Sequence, residues 1–194
     1  MTANKLNEKR IKEIFAKTGV LQNGHFVLSS GRHAEQYLQC AQVLQYPQYT
    51  SELARGMAQL WSEEEIEVVV GPALGGIIVS FAVGQALNVR AIFAERKEGK
   101  MKFRRGFYIK PTTRVLLVED VVTTGGSVKE VIELLETLDT EIVGISSIVD
   151  RSGGTAIFNY SFKPLIQLDI KSYTKDKCKL CQNNVPITKP GSRS

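Results

Sequence analysis

Apolar residues in this chain recur with two periods, and the switches between them outline its elements. Leu6, Ile11, Ile14 and Phe15 fall at helical spacing near the N-terminus, and so do Leu53, Met57, Leu60 and Trp61. Each set places an apolar stripe on one helix face. Between them, residues 24–45 predict irregular or β-rich structure, with a turn at "SSGRH" (29–33). From residue 66 an alternation begins. "IEVVV" (66–70) reads as a strand, "GGIIVSFAVGQAL" (75–87) as a buried helix and "RAIFAE" (90–95) as a strand. "RVLLVE" (114–119) is another strand, Val128, Val131, Ile132, Leu135 and Leu138 mark a helix, and "EIVGISSIV" (141–149) is a further strand. Strands alternating with helices predict an α/β fold, a mostly parallel sheet with helices on both faces. The tail "KPGSRS" (189–194) reads as frayed.

In such sheets ligands bind outside the carboxyl ends of the strands. Those ends read "GPALGG", "ERKEGK", "EDVVTTGGS" and "DRSGG" (150–154), all polar, charged or glycine-rich. The third is the most informative. Four apolar residues (115–118) run into Glu119 and Asp120, and after two valines come Thr123, Thr124, Gly125, Gly126 and Ser127. Small residues let backbone N–H groups point inward, hydroxyls add donors, and the helix start that follows favours negative charge, so this turn is a cradle for a phosphate monoester. It lacks the Gly-Lys-Ser/Thr of a Walker loop and the glycine spacing of the dinucleotide fingerprint. Carboxylates repel phosphate, so the acid pair makes sense facing another part of the ligand. The vicinal hydroxyls of a ribose suit it, bound directly or through magnesium. Together the string describes a 5-phosphorylated ribose. A strand-turn-helix with an acid as cap is the plainer alternative.

Composition narrows the picture. The 194 residues, 43% hydrophobic and 23% charged, fit one globular domain over 1–194. No apolar run approaches the ~20 residues that span a bilayer, and "MTANKLNEKR" has no signal-peptide core, so a soluble, cytoplasmic protein is expected. The net charge of +5 admits nucleic acid or small anionic substrates as partners. Arg96, Lys97, Lys100, Lys102, Arg104 and Arg105 fall within ten residues, a cluster that suits a site better than a diffuse basic face.

The string "VLLVEDVVTTGGS" resembles the phosphoribosyl pyrophosphate signature of type I phosphoribosyltransferases, and most of residues 5–192 is similar to the orotate phosphoribosyltransferases among them. "LSSGRHAEQYLQCAQVL" (28–44) resembles that family's hood motif, "VVVGPALGGI" (68–77) its pyrophosphate loop, "AERKEGK" (94–100) the start of its mobile catalytic loop and "VDRSGG" (149–154) its Asp-Arg step. The resemblance implies a core over about 46–165 and a small hood subdomain from about 1–45 and 166–190. It implies transfer of phosphoribose from phosphoribosyl pyrophosphate to a ring nitrogen of orotate, with magnesium as cofactor held through Glu119 and Asp120. It assigns Asp120, Arg96, Lys97 and Lys100 to catalysis. Ala73, Leu74 and Gly75 would bind pyrophosphate, Thr123–Ser127 the phosphate, Arg151 the orotate carboxylate, and Ser29, Ser30 and Gly31 the pyrimidine. It further implies a homodimer whose mobile loop, with Gly99 and Gly106 as hinges, reaches the neighbour's site, and no nucleic-acid or membrane partner.

Many relatives carry a histidine in that loop, a lysine where this chain has Gly75 and another where it has Ser29; here no histidine follows residue 33. Lys102, Arg104 or Arg105 would have to replace the histidine's electrostatic part. A purine or other pyrimidine phosphoribosyltransferase, and a ligand-sensing regulator on the same fold, are the competing functions. Cys178 and Cys181 form one C-x-x-C pair, read as two ordinary thiols or a reversible local disulfide. A zinc site would need two more ligands, and Cys40, His25 or His33 could supply them only by folding close.

Overall fold

A computed structural model describes residues 6–28 and 30–189. In chain order the elements are α1 (Glu8–Thr18), β1 (Leu21–Val27), β2 (His33–Leu38), α2 (Ala41–Leu44), α3 (Pro47–Gln59), β3 (Val68–Pro72), α4 (Gly75–Leu87), β4 (Arg90–Lys97), β5 (Lys100–Lys102), β6 (Arg114–Val122), α5 (Gly126–Glu136), β7 (Glu141–Asp150), β8 (Phe162–Gln167), β9 (Ser172–Tyr173) and α6 (Lys179–Gln182). Local chemistry sets the ends of α1. The Asn7 side chain accepts from the Arg10 N–H at 2.9 Å, and Gly19 closes the helix in the left-handed region at φ 69°.

The larger sheet has the order β5-β4-β3-β6-β7-β8, parallel throughout except for the β4–β5 hairpin. Strand alternation splits its apolar residues between two cores. Val69, Leu116, Val118 and Ile148 pack with Ile14, Leu53, Met57 and Val83 from the helices of one face. Val68, Val70, Val115, Leu117 and Ile145 pack with Val128, Val131 and Leu135 of α5 on the other. Burial on both faces is why these strands read as continuous apolar runs.

The strands run further than their apolar runs predict, β4 to Lys97 and β6 to Val122, so the acid pair lies within β6. Two strands carry only weak apolar signals. β5 is a charged three-residue strand completing a hairpin, and β8 is an edge strand that carries Pro164, a residue edges tolerate. A second sheet, β1-β2-β9, joins residues 21–38 to 172–173. Residues 185–188 then return along β1: the Thr188 N–H donates to the His25 carbonyl at 2.7 Å, and the Val27 N–H to the Thr188 carbonyl at 3.0 Å. The frayed reading of 189–194 falls, apart from Lys189, outside the described residues.

Gly144 in β7 lies under the buried Trp61 ring. A Cβ there would sit 2.0 Å from the ring edge and 3.0 Å from the Ser161 carbonyl oxygen. Gly144→Ala should therefore cost about 2–3 kcal/mol by overpacking. Thermal unfolding should record this as a drop of roughly 5–10 °C; an unchanged midpoint would show that Trp61 yields freely.

Candidate active site

The turn after β6 is built as its sequence requires. Gly125 caps α5 at φ 75°, and a Cβ there would also meet the Phe158 ring at 2.9 Å, so two constraints demand glycine. No side chain caps the α5 N-terminus, which leaves its first-turn N–H groups for an anion. Glu119 and Val121–Val128 line a hollow of about 70 Å³, so Thr123, Thr124, Gly125, Gly126 and Ser127 share one concave wall. Far larger open hollows, about 560 and 610 Å³, lie beside the hood at Asn23 and Glu35 and beside α3 at Gly56 and Leu87. Neither contains the acids or the glycine-rich turn, so size does not mark the chemistry here.

The two acids have different surroundings because neighbouring strand residues face opposite sides. Glu119 is buried in the cradle wall and its carboxylate accepts the Asp120 N–H at 3.0 Å. Burial first, and the Asp120 charge second, raise its carboxyl well above the usual carboxylate range. A carboxyl pushed toward its neutral form repels a phosphate less. Asp120 is half-buried, accepts the Val121 N–H at 2.8 Å and lies against α4: a Cβ on Gly75 would come within 2.5 Å of its carboxyl carbon. Cys40 sits beneath the pair, its thiol 3.5 Å from the Asp120 carbonyl oxygen. Burial, then the two acids, push its pKa well up and keep it protonated.

The Gly75–Asp120 approach joins the second loop to the first. Residues 71–76 form a turn so tight that a Cβ on Gly71 would fall 2.2 Å from the Gly76 carbonyl oxygen. The Ala73 N–H donates to the Ala94 carbonyl at 2.8 Å, Leu74 is 83% exposed, and the peptide between them is cis. No side chain caps α4 at Leu74 either. Two helix N-termini with open N–H groups thus flank the end of β6, at the sheet edge where the strand ends converge.

The cationic segment is placed differently. Its first part is the β4–β5 hairpin, turning at Glu98 and Gly99, both with positive φ. Arg96 is bound to Glu130 of α5 at 2.7 Å, Lys97 lies 4.0 Å from Glu98, and Lys100 lines a groove with Glu133 and Thr137 on the flank of α5. Lys102 pairs with Glu98 at 3.4 Å, and Arg104 and Arg105 pair with Glu95 at 3.3 and 3.2 Å. None of Arg96, Lys97 and Lys100 lines the cradle. The structure therefore does not gather these three with the acid pair, and acid partners occupy most of the cluster. Glu130, the partner of Arg96, had no signal in the sequence beyond its place one turn into α5.

Arg151 follows β7 directly, and its N–H donates to the Val122 carbonyl at 2.8 Å, next to the cradle. Asp150 does not pair with it: that carboxylate accepts the Ser152 N–H at 2.8 Å and the Gln167 amide at 3.4 Å. The guanidinium, half-buried, has no carboxylate at ion-pair distance among the described residues. In the hood, Gly31 turns at φ 75° with its N–H on the Leu28 carbonyl, and Arg32 holds the turn to β9 through the Ser172 hydroxyl and carbonyl at 2.9 and 2.5 Å. Ser30 and Gly31 lie in this turn; Ser29 lies outside the described residues.

Comparison with known proteins gives the family and the fold. Residues 39–172 match the family model of the phosphoribosyl transferase domain. An orotate phosphoribosyltransferase of Caldanaerobacter subterraneus is 50% identical over 188 residues, 97% of this chain and 99% of that one. One of Thermotoga maritima is 50% identical over 183 residues, 94% of this chain and 98% of its own. Among solved structures, the Leishmania donovani UMP synthase superposes with a TM-score of 0.72 at 25% identity, over 84% of this chain and 37% of that one. The Mycobacterium tuberculosis orotate phosphoribosyltransferase in complex with inorganic phosphate superposes with a TM-score of 0.68 at 23% identity, over 81% and 95%. The second of these, below 25% identity, speaks for the fold alone.

Proposed function

The chain belongs to the orotate phosphoribosyltransferase family, and from that premise we propose how its own residues divide the transfer of phosphoribose from phosphoribosyl pyrophosphate to orotate, giving orotidine monophosphate and pyrophosphate. The observation that carries the reading is the contact of Gly75 with Asp120, which sets a phosphate cradle, a carboxylate and a second anion-ready helix end around one strand terminus. The 5-phosphate fits the N–H groups and hydroxyls of Thr123–Ser127. The pyrophosphate fits the 71–76 turn, where the backbone N–H groups of Leu74 and Gly75 are at hand, that of Ala73 being held by the Ala94 carbonyl. The ribose then spans the gap, its hydroxyls within reach of Asp120 and Glu119.

The donor set also fits magnesium. A carboxylate packed against a pyrophosphate loop repels the leaving group unless a cation lies between, and Asp120 is an oxygen donor of the hard type that magnesium prefers. When bound, the ion supplies positive charge for the pyrophosphate and the ribose hydroxyls. The protein's own part is orientation and charge. Open helix ends at α4 and α5 fix both phosphates. Arg151 clamps the orotate carboxylate bidentately and so aims a ring nitrogen at the anomeric carbon. As the bond to pyrophosphate breaks, negative charge grows on the leaving oxygen, and the cations of the β4–β5 hairpin neutralise it. Because Arg96, Lys97 and Lys100 do not line the cradle of their own chain, we propose that they serve the site of a second copy in a homodimer. A cytoplasmic location suits substrates this highly charged.

Purified protein given phosphoribosyl pyrophosphate and magnesium should consume orotate and leave uracil and hypoxanthine untouched. Turnover of either alternative base would reject the orotate reading. Binding without any turnover would favour a sensor. The shared site has its own test. Asp120→Asn and the double variant Lys97→Ala/Lys100→Ala should each be nearly inactive, yet after subunit exchange should recover about a quarter of wild-type activity, one intact site per hybrid dimer. No recovery would place the hairpin in its own chain's site.

A further inference from the structure

The pair expected as ordinary thiols or a local disulfide has company. His25 of β1, His33 of β2 and the two cysteines of the C-terminal segment bring four ligand atoms within 4.8 Å of one another, three of the residues buried. We propose that His25, His33, Cys178 and Cys181 form a structural zinc site that fastens residues 174–188 to the β1–β2 hairpin.

The distances carry the assignment. Cys178 Sγ lies 3.5 Å from His25 Nε2, and Cys181 Sγ lies 3.6 Å from the same nitrogen and 3.3 Å from His33 Nδ1. Zinc bonds of about 2.3 Å to sulfur and about 2.0–2.1 Å to nitrogen, at tetrahedral angles, put sulfur and nitrogen ligands about 3.5 Å apart. The two imidazole nitrogens, 2.8 Å apart, need only separate by roughly half an ångström to meet the same geometry.

Protonation agrees as well. His25 Nδ1 lies 2.8 Å from the Val185 carbonyl oxygen, which can only accept. That bond fixes the proton on Nδ1 and turns the Nε2 lone pair toward the cysteines, the outer contact that metal-bound histidines characteristically make. Without a metal, one proton between the rings satisfies the histidines but leaves both thiols crowded against His25 Nε2. Cys40, the third thiol, lies apart beneath Asp120. Two sulfurs and two imidazoles in a closed site select zinc over the oxygen-seeking cations.

The placement gives the site a purpose. His25 and His33 flank the turn at Ser30–Gly31, and Cys178 and Cys181 flank the start of α6, whose following residues run beside β1. A metal there holds the pyrimidine-facing turn to a segment that contributes only two residues of strand to the hood sheet.

The test uses the full chain, produced in zinc-supplemented medium and purified without chelators or a polyhistidine tag. Metal analysis should find one zinc per chain in the wild type and in Cys40→Ser, falling at least about tenfold in Cys181→Ser. Cobalt exchanged into the wild type should show tetrahedral ligand-field bands with thiolate-to-cobalt charge transfer, a readout that needs no variant to fold. Wild-type protein without stoichiometric zinc, cobalt protein without the charge-transfer band, or full zinc content in Cys181→Ser would each overturn the site.

Discussion

Asp120→Asn should lower kcat/KM for orotate by about 10²–10³, the loss that follows removal of one preorganised electrostatic group from a water-poor site. The amide keeps the shape, so the N–H of Val121 still finds an oxygen, and thermal stability should stay close to wild type. What goes is the charge next to Gly75 that attracts the cation for the pyrophosphate. Raising magnesium should recover part of the loss in Asp120→Asn, because the defect is in attracting the ion. Glu119→Gln is the informative contrast. Burial and the neighbouring charge already favour the neutral Glu119 carboxyl, so an amide copies the ligand-free form. The folded protein retains a proton there that the unfolded chain has released. Glu119 therefore makes ligand-free stability fall as pH rises above the ordinary carboxylate range, and Glu119→Gln should flatten that fall. If the two variants lose activity equally and share one stability-pH profile, the division between a charged and a neutral acid is wrong.

Arg151→Ala should cost about 10³ in kcat/KM for orotate, corresponding to the roughly 3–5 kcal/mol lost when one partner of a desolvated, bidentate ion pair is removed. Binding of phosphoribosyl pyrophosphate should survive, since the cradle and the 71–76 turn are untouched. The observation behind this is negative in form but specific: Asp150, the obvious partner, is engaged with Ser152 and Gln167. Arg151→Lys should recover little, because a point charge cannot reproduce the planar fork. Isothermal titration with each substrate separates the two effects. A variant that loses both affinities equally would mark Arg151 as a support for the cradle and leave the orotate carboxylate without its clamp.

How much of this was legible depended on the range over which each feature is encoded. The central strands and α4 and α5 declare themselves because burial on both faces leaves unbroken apolar runs, and "VLLVEDVVTTGGS" encodes strand, acids and cradle within one short stretch. β8 escaped because an edge strand needs fewer apolar residues and tolerates Pro164. The six cations of residues 96–105 were visible, but the carboxylates that hold them were not: Glu130 reaches Arg96 only because α5 packs beside the hairpin. The histidine–cysteine cluster was hidden for the same reason. His25 and His33 face one another only through antiparallel pairing, and the cysteines come from some 150 positions away. A side chain at Gly75 would have to displace the Asp120 carboxylate, whose carbon a Cβ there would meet at 2.5 Å.

The two sheets also differ in when they can exist. β3 through β8 lie consecutively along the chain, so their pairings close over short separations, whereas β2 must find β9 across residues 39–171. Closing that long loop costs entropy that is recovered only by late contacts. Refolding should therefore pass through a state whose phosphate cradle is complete while its base-facing turn is still open. Such a species would recognise the sugar phosphate of its substrate before it could recognise the ring.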